Sequence, residues 1–228
     1  MSRIFLVRHA QANFGVGEND RLSHLGATQS WMLAEYLSEA AVHFDAVFCG
    51  TQTSHADTVA RMSEVYLIDG KLPAATSVAG LDELNYEPLL RLFARQQGDA
   101  VDHKKLIEDR SYYRTFLEKA CAAWMAGELE GAETWGRFQE RANRAVDQIR
   151  SACGRGQTVL AVSSSGVIGA VLKQILGLDD ARTIGLASMM ANTSITTFLY
   201  DQERLSLESF NQIPHLISPK RRDLVTYR

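Results

Sequence analysis

At 228 residues the chain is most simply one large α/β domain or a core carrying a helical insertion, and its 46% hydrophobic and 22% charged composition describes a folded soluble protein and excludes a disordered one. A formal net charge of −3 argues against a nucleic-acid surface, which needs a basic face; Lys220-Arg221-Arg222 is read as a small solvated cluster. Three cysteines, Cys49, Cys121 and Cys153, without a CxxC pair suit reduced thiols in a cytoplasmic protein and offer no metal site, and no long apolar run or leader supports membrane insertion or secretion.

In chain order, Ile4-Phe5-Leu6-Val7 has no polar interruption and predicts a buried parallel strand that runs into Arg8-His9-Ala10-Gln11. Such a strand delivers a cation and an imidazole to the carboxyl edge of a sheet, where open α/β folds place ligands. An imidazole there can act as a nucleophile, and a guanidinium can grip phosphate oxygens through paired hydrogen bonds. By itself the pair also fits an ordinary strand end with a surface Arg and a hydrogen-bonded His. Ser23 caps a predicted helix from about Gly26 to Ala40, with Leu33, Leu37, Ala40 and Ala41 on its apolar stripe. Ala46-Val47-Phe48-Cys49 reads as a second strand closed by Gly50-Thr51, followed by a helix through Thr58, Met62 and Val65. Thr76-Ser77-Val78 reads as a short third strand ahead of Gly80-Leu81-Asp82-Glu83.

From about residue 86 to 131 the pattern is helical and polar on one side, which predicts an insertion within a single domain spanning 1–228. Trp135, Phe138, Ala142, Ala145, Val146 and Ile149 then recur at three- and four-residue spacing, the clearest amphipathic helix in the chain and a core element. Thr158 to Val162 is another apolar strand, and Ser163-Ser164-Ser165-Gly166 turns into a helix through Val171 and Ile175. Ser194 to Tyr200 and Arg204 to Phe210 predict a hairpin across Asp201-Gln202. The expected fold class is α/β: a mostly parallel central sheet with helices on both faces and an antiparallel edge. No GxGxxG or Walker-type loop exists to hold a nucleotide, and no His pair has metal-site spacing.

Several of these segments together resemble the histidine phosphatase superfamily, also called the phosphoglycerate mutase-like family. They are Leu6-Val7-Arg8-His9-Ala10, Leu22-Ser23-His24-Leu25-Gly26, Gly50-Thr51 through Thr58, Leu81-Asp82-Glu83, Val162-Ser163-Ser164-Ser165-Gly166-Val167-Ile168 and Asn211 through His215-Leu216. The resemblance covers nearly the whole chain, and the order of these segments is more specific than any one of them. It implies that His9 attacks phosphorus and carries a phosphohistidine. It implies that Arg8 binds the non-bridging oxygens, and that Glu83 gives a proton to the leaving oxygen and then takes one from water. On the residues alone, Glu83 reads as a solvated carboxylate in an acidic turn, and Asp82 and Glu87 stand as substitutes for it. His24, His43 and His103 are read as surface or cap histidines, and His215 as packing behind the site.

Two departures from the family pattern stand out. The position of the family's second arginine is Ser54, followed by His55, and the position of its second histidine is Ser164. Arg61 lies two helical turns beyond Ser54, about 10 Å along the axis. Losing two such groups predicts a rate about 10³–10⁵ below an intact relative, since losses within one catalytic unit do not add. Ser163, Ser164 and Ser165 at a helix amino end could form a neutral anion cradle, or simply cap that helix. His55 could donate to phosphate when protonated, although an exposed helix histidine is the simpler reading. The phosphate-binding set is thus Arg8, Ser54, His55, Ser164 and Ser165.

The leading expectation is a phosphomonoester phosphatase needing no metal or organic cofactor. Its substrate would be a small-molecule phosphate ester or a phosphoprotein, with phosphate or sulfate as an expected occupant of the site. A second reading is a phosphate-ligand binding or regulatory protein with a retired site. A mutase is the weaker alternative, since it must hold the phosphoryl group while excluding water.

Overall fold

The structure, a computed structural model, describes residues 1–13, 20–66, 72–131, 133–201 and 203–227. A six-stranded sheet has the order β3-β2-β4-β1-β5-β6, with β1 Ser2–Arg8, β2 Ala46–Cys49, β3 Ala75–Ser77, β4 Thr158–Ser163, β5 Ile195–Tyr200 and β6 Leu205–Gln212. Strands β3, β2, β4 and β1 pair in parallel, while β5 runs antiparallel to both β1 and β6. The α/β class and the antiparallel edge are as expected from the hydrophobic pattern. Asp201 closes the β5–β6 turn by accepting the Glu203 and Arg204 amides; Gln202 lies outside the described residues.

Strand β1 is central, and side chains on a strand alternate between its two faces. Val7 belongs to a buried cluster with Leu33, Leu37, Val47, Met62 and Leu160, and Phe5 packs against the same cluster. That cluster joins one face of the sheet to helices α1 (His24–Glu39) and α2 (Thr53–Ser63). Ile4 and Leu6, fully buried, must therefore face the other side, where helix α7 (Ser165–Leu176) packs on β1. Each large aliphatic side chain removed from water in this way stabilises the fold by about 1.5–3 kcal/mol.

Ser23 caps α1 as predicted, accepting the Gly26 amide, but the helix ends at Glu39. Ala40 and Ala41 are exposed beyond that end, with Ala41 at φ 52°, so the apolar stripe is carried by Leu33, Ala34 and Leu37 instead. The chain leaves the helix at that point to turn into β2, with Ala41 in the left-handed conformation that ends the helix. Val65 likewise lies just past the end of α2, and the third strand starts one residue earlier than the pattern suggested.

Two compact units are present: Met1–Glu83 with Arg141–Arg228, and Leu84–Glu140. The second holds α3 (Tyr86–Gln97), α4 (His103–Glu108), α5 (Arg110–Met125) and the start of α6 (Trp135–Ala152). Its packing is aromatic. Phe93 meets Phe116 edge-on at 5.0 Å, and Trp124, Trp135 and Phe138 form a triangle of ring contacts at 5.1–5.7 Å. In the first unit, α6 continues with Ala142, Ala145, Val146 and Ile149 all buried. Helix α8 (Asp180–Ser188), capped by Asp179, follows α7 and packs against it. No helix among the described residues is long and apolar enough to cross a membrane.

Candidate active site

At the carboxyl edge of the sheet, Arg8 is in register with Ser163 of β4, and the His9 amide continues the ladder by donating to the Ser163 carbonyl at 2.8 Å. Strand alternation sends the two side chains to opposite faces. His9 goes to the α2 side, where its ring lies 5.3 Å from that of His55. Arg8 is buried, and its Nη1 donates to the Met190 carbonyl.

The His9 ring is fixed by its own backbone. Nδ1–H donates to the Ala10 carbonyl at 2.8 Å, a bond that needs the proton on Nδ1 and leaves the lone pair on Nε2. Burial, then the proximity of His55 and Arg8, push its pKa down to about 3, against the smaller opposing effects of the Ala10 carbonyl and Asp20. The imidazole is therefore neutral at pH 7. Asn192 Nδ2 holds the His9 carbonyl at 3.0 Å, and the Ala10 amide donates to Thr58 Oγ1, which donates to the Ser54 carbonyl. These bonds tie the His9 turn to the first turn of α2.

Ser54 is buried at the start of α2. His55 is fully buried too, which corrects the expectation of an exposed helix histidine. Its position in the first turn points it inward, under the sheet edge. Its Nε2 lies 2.7 Å from Ser164 Oγ, and its Nδ1 lies 3.8 Å from Asp82 Oδ1. Burial pushes its pKa down to about 4. Arg61 is exposed and pairs with Glu64 at 3.0 Å, so it takes no part.

Glu83 sits at the amino end of α7, where its Oε2 accepts the Gly166 amide at 2.9 Å. A Cβ at Gly166 would fall 2.2 Å from Glu83 Oε1, so only glycine admits the carboxylate there. The Glu83 amide is held by Gln52 Oε1, and Arg141 Nη1 grips the carbonyls of Gly80 and Asp82 on the same turn. Of the two substitutes for Glu83, Asp82 accepts the Thr51 and Gln52 amides and the Thr51 hydroxyl, closing the turn after β2. Glu87 is exposed and paired with Arg91 in the second unit.

The serine run is not an open cradle. Ser163 Oγ donates to the Leu81 carbonyl at 2.7 Å, Ser164 Oγ meets His55, and the Gly166 amide is occupied by Glu83. Helix α7 has no side-chain cap hydrogen bond from Ser164, so capping does not describe that serine either. Ser165, half-buried, opens the helix. His24, His43 and His103 are exposed, and buried His215 bonds Thr193 Oγ1 at 2.8 Å behind the β5 end.

Sequence reasoning missed the residues that hold the site from behind: Asn192, Gln52, Arg141, and Asp20, whose carboxylate accepts the Thr53 amide at the start of α2. Each lies among other polar residues, or on the polar face of a helix, and only the Asn192-Thr193-Ser194 run between apolar neighbours gives a signal. Among the described residues no group of three or more His, Cys, Asp or Glu could hold a metal ion. A cavity of about 270 Å³ lined by Asn143, Arg150, Gln174, Ile175, Arg204 and Leu205 opens at the other end of the sheet, where β6 starts and α7 ends.

Compared with protein families, the chain matches the histidine phosphatase superfamily (branch 1) over residues 4–213. No individually curated protein sequence matches it. Among solved structures, it resembles YhfR of Bacillus stearothermophilus, with TM-score 0.69 and 18% identity over 94% of this chain and 99% of that one. It also resembles a phosphoglycerate mutase of Bacillus anthracis, with TM-score 0.64 and 17% identity over 94% of each chain. A third likeness is to a mycobacterial glucosyl-3-phosphoglycerate phosphatase, with TM-score 0.62 and 22% identity over 92% of this chain and 98% of that one.

Proposed function

Because the chain belongs to the histidine phosphatase superfamily, we propose that it is a phosphomonoester phosphatase in which His9 carries the phosphoryl group. The observation that carries this reading is the His9 ring itself. Its Nδ1–H is held by the Ala10 carbonyl, so a neutral Nε2 lone pair is available at the sheet edge where ligands of such folds bind. In the first step the Nε2–P bond forms as the P–O bond to the leaving alkoxide breaks, and Glu83 supplies the proton that alkoxide needs. In the second, water attacks phosphorus, Glu83 takes its proton, and the N–P bond breaks to return His9. Arg8, held by the Met190 carbonyl, is close enough for its charge to lower the His9 pKa, and supplies the fixed positive charge for the phosphoryl oxygens.

A phosphatase is favoured over a mutase because the pocket's family cation positions are Ser54 and Ser164, both uncharged. A weakly held phosphoryl group is more readily lost to water than handed back to a substrate. Incubation with p-nitrophenyl phosphate is expected to give turnover and an acid-labile phosphoryl adduct, both abolished by His9→Ala. Turnover that survives His9→Ala would overturn the proposal. The second reading, a phosphate-binding protein without turnover, draws on the same two serines. It is favoured if the wild-type protein binds phosphate esters but neither hydrolyses them nor forms the adduct.

A further inference from the structure

We propose that His55 and Ser164 form a proton-linked anion switch, in which protonation of His55 turns the Ser164 hydroxyl from a hydrogen-bond acceptor facing the ligand into a donor to it. This rests on reading the pocket beside His9 as a phosphate site. One buried imidazole touches both places where positive charge is missing: His55 follows Ser54 directly, and its Nε2 is 2.7 Å from Ser164 Oγ.

The tautomer follows from chemistry. Nδ1 faces the Asp82 carboxylate at 3.8 Å, and a carboxylate only accepts, so the neutral ring keeps its proton on Nδ1. Nε2 is then bare and accepts the Ser164 O–H. In that state Ser164 presents only lone pairs to its other side, which repel a phosphate oxygen. When a proton from solvent reaches Nε2, the imidazolium donates to Ser164 Oγ, and the freed O–H turns to donate to the anion. The same proton strengthens the attraction between the ring and Asp82.

Nδ1 of His55 is buried without a hydrogen bond, so Ser164 at Nε2 is the hydrogen-bond partner the structure gives the ring. Burial holds the ring neutral, with a pKa pushed down to about 4. A bound dianion raises that value by direct attraction, so binding and protonation reinforce each other. The groups around the ring are few. Neutral His9 comes from the end of β1, next to cationic Arg8, and Asp82 from the turn before α3, next to Glu83. Cys49, its thiol pKa raised by burial, comes from β2, and Asp20 from the cap of α2. Asp82, which also accepts the Thr51 and Gln52 amides and the Thr51 hydroxyl, lies 3.8 Å from the ring's Nδ1.

Sulfate is the probe, because it stays a dianion across the working range and brings no proton of its own. The wild-type affinity for sulfate should fall by up to tenfold per pH unit above pH 5, the slope of one linked proton, and level off where His55 of the complex loses that proton. The slope should vanish in His55→Gln, and persist in His9→Gln, while Ser164→Ala should weaken sulfate binding at pH 5, where the hydroxyl donates to the anion. Imidazole ¹⁵N shifts of the wild-type protein titrated with sulfate at pH 6 should report protonation of His55, a readout that needs no variant to fold. A flat wild-type profile, no sulfate binding at pH 5, or a slope that persists in His55→Gln but is lost in His9→Gln would overturn the switch. Covalent labelling of Ser164 by a fluorophosphonate would overturn it too, in favour of a nucleophilic serine. None of these results depends on turnover, so the switch and the phosphatase reading can fail separately.

Discussion

His9 and Arg8 are adjacent in sequence, yet they answer to opposite faces of one strand. His9 leans on α2 and His55, while Arg8 is anchored by the Met190 carbonyl. The residue most exposed to a small change is neither of these. Gly166 sits where any Cβ would strike the Glu83 carboxylate, whose Oε2 already bonds the Gly166 amide. Displacing a proton-transfer group by about 1 Å can cost about 10² in rate. Gly166→Ala is therefore expected to lower kcat on p-nitrophenyl phosphate by about 10–100-fold while leaving the thermal midpoint nearly unchanged. A loss confined to KM would place Glu83 outside the proton-transfer path. Gly50 has a parallel role, since a Cβ there would fall 2.1 Å from His55 Nδ1 and 2.4 Å from Asp82 Oδ1. The glycine is what lets the imidazole and the carboxylate approach each other.

Among the elements, the segment joining α8 to β5 does the most positioning with the least regular structure. Thr193 at φ 59° and Asn211 at φ 53° both adopt the left-handed conformation. Asn211 Oδ1 accepts the Ala191 amide at 2.9 Å, and its Nδ2 donates to the Met189 carbonyl at 3.0 Å. Those bonds fix the stretch whose Met190 carbonyl holds Arg8 and whose Asn192 side chain holds the His9 carbonyl. Asparagine tolerates this backbone better than alanine, which pays about 1–2 kcal/mol in it. With two hydrogen bonds also lost at about 0.5–1.5 kcal/mol each, Asn211→Ala should destabilise the protein by about 2–5 kcal/mol in urea unfolding. Asn211→Gly should recover the backbone part but not the bonds. Equal losses in both variants would mean that the left-handed geometry contributes nothing.

At the scale of the molecule, three buried or half-buried histidines make the fold sensitive to acid. His9, His55 and His215 have pKa values pushed down to about 3, 4 and 4, with burial the first cause in each. In the unfolded chain they titrate near 6.5, so between that value and pH 4 the unfolded state binds more protons and stability falls as pH falls. Each contributes a slope of about 1.4 kcal/mol per pH unit within its window. Urea unfolding should show stability dropping by about 3–4 kcal/mol per pH unit below pH 6, and His215→Gln, remote from the chemistry, should lower that slope by about one third. A profile flat from pH 7 to 5 would show these rings to be solvated.

Much of the fold was legible because strands and helices announce themselves through the spacing of apolar residues. The uninterrupted run from Ile4 to Val7, the Trp135 to Ile149 stripe and the Ser23 cap all became the elements their patterns predicted. The family and the place of His9 at a strand end followed from local order along the chain. What local order could not carry was distance between segments. Nothing around residue 55 distinguishes a solvated histidine from a buried one, and the serines at 163–165 read equally well as caps or cradle. Their fates depend on α2 and β4 meeting at the sheet edge, on Glu83 reaching the Gly166 amide from 83 residues away, and on Asp82 arriving beside His55. Periodicity is a property of one segment and survives in the sequence. A hydrogen bond between segments exists only after the chain has closed, and so the buried His55–Ser164 pair was decided by the tertiary structure alone.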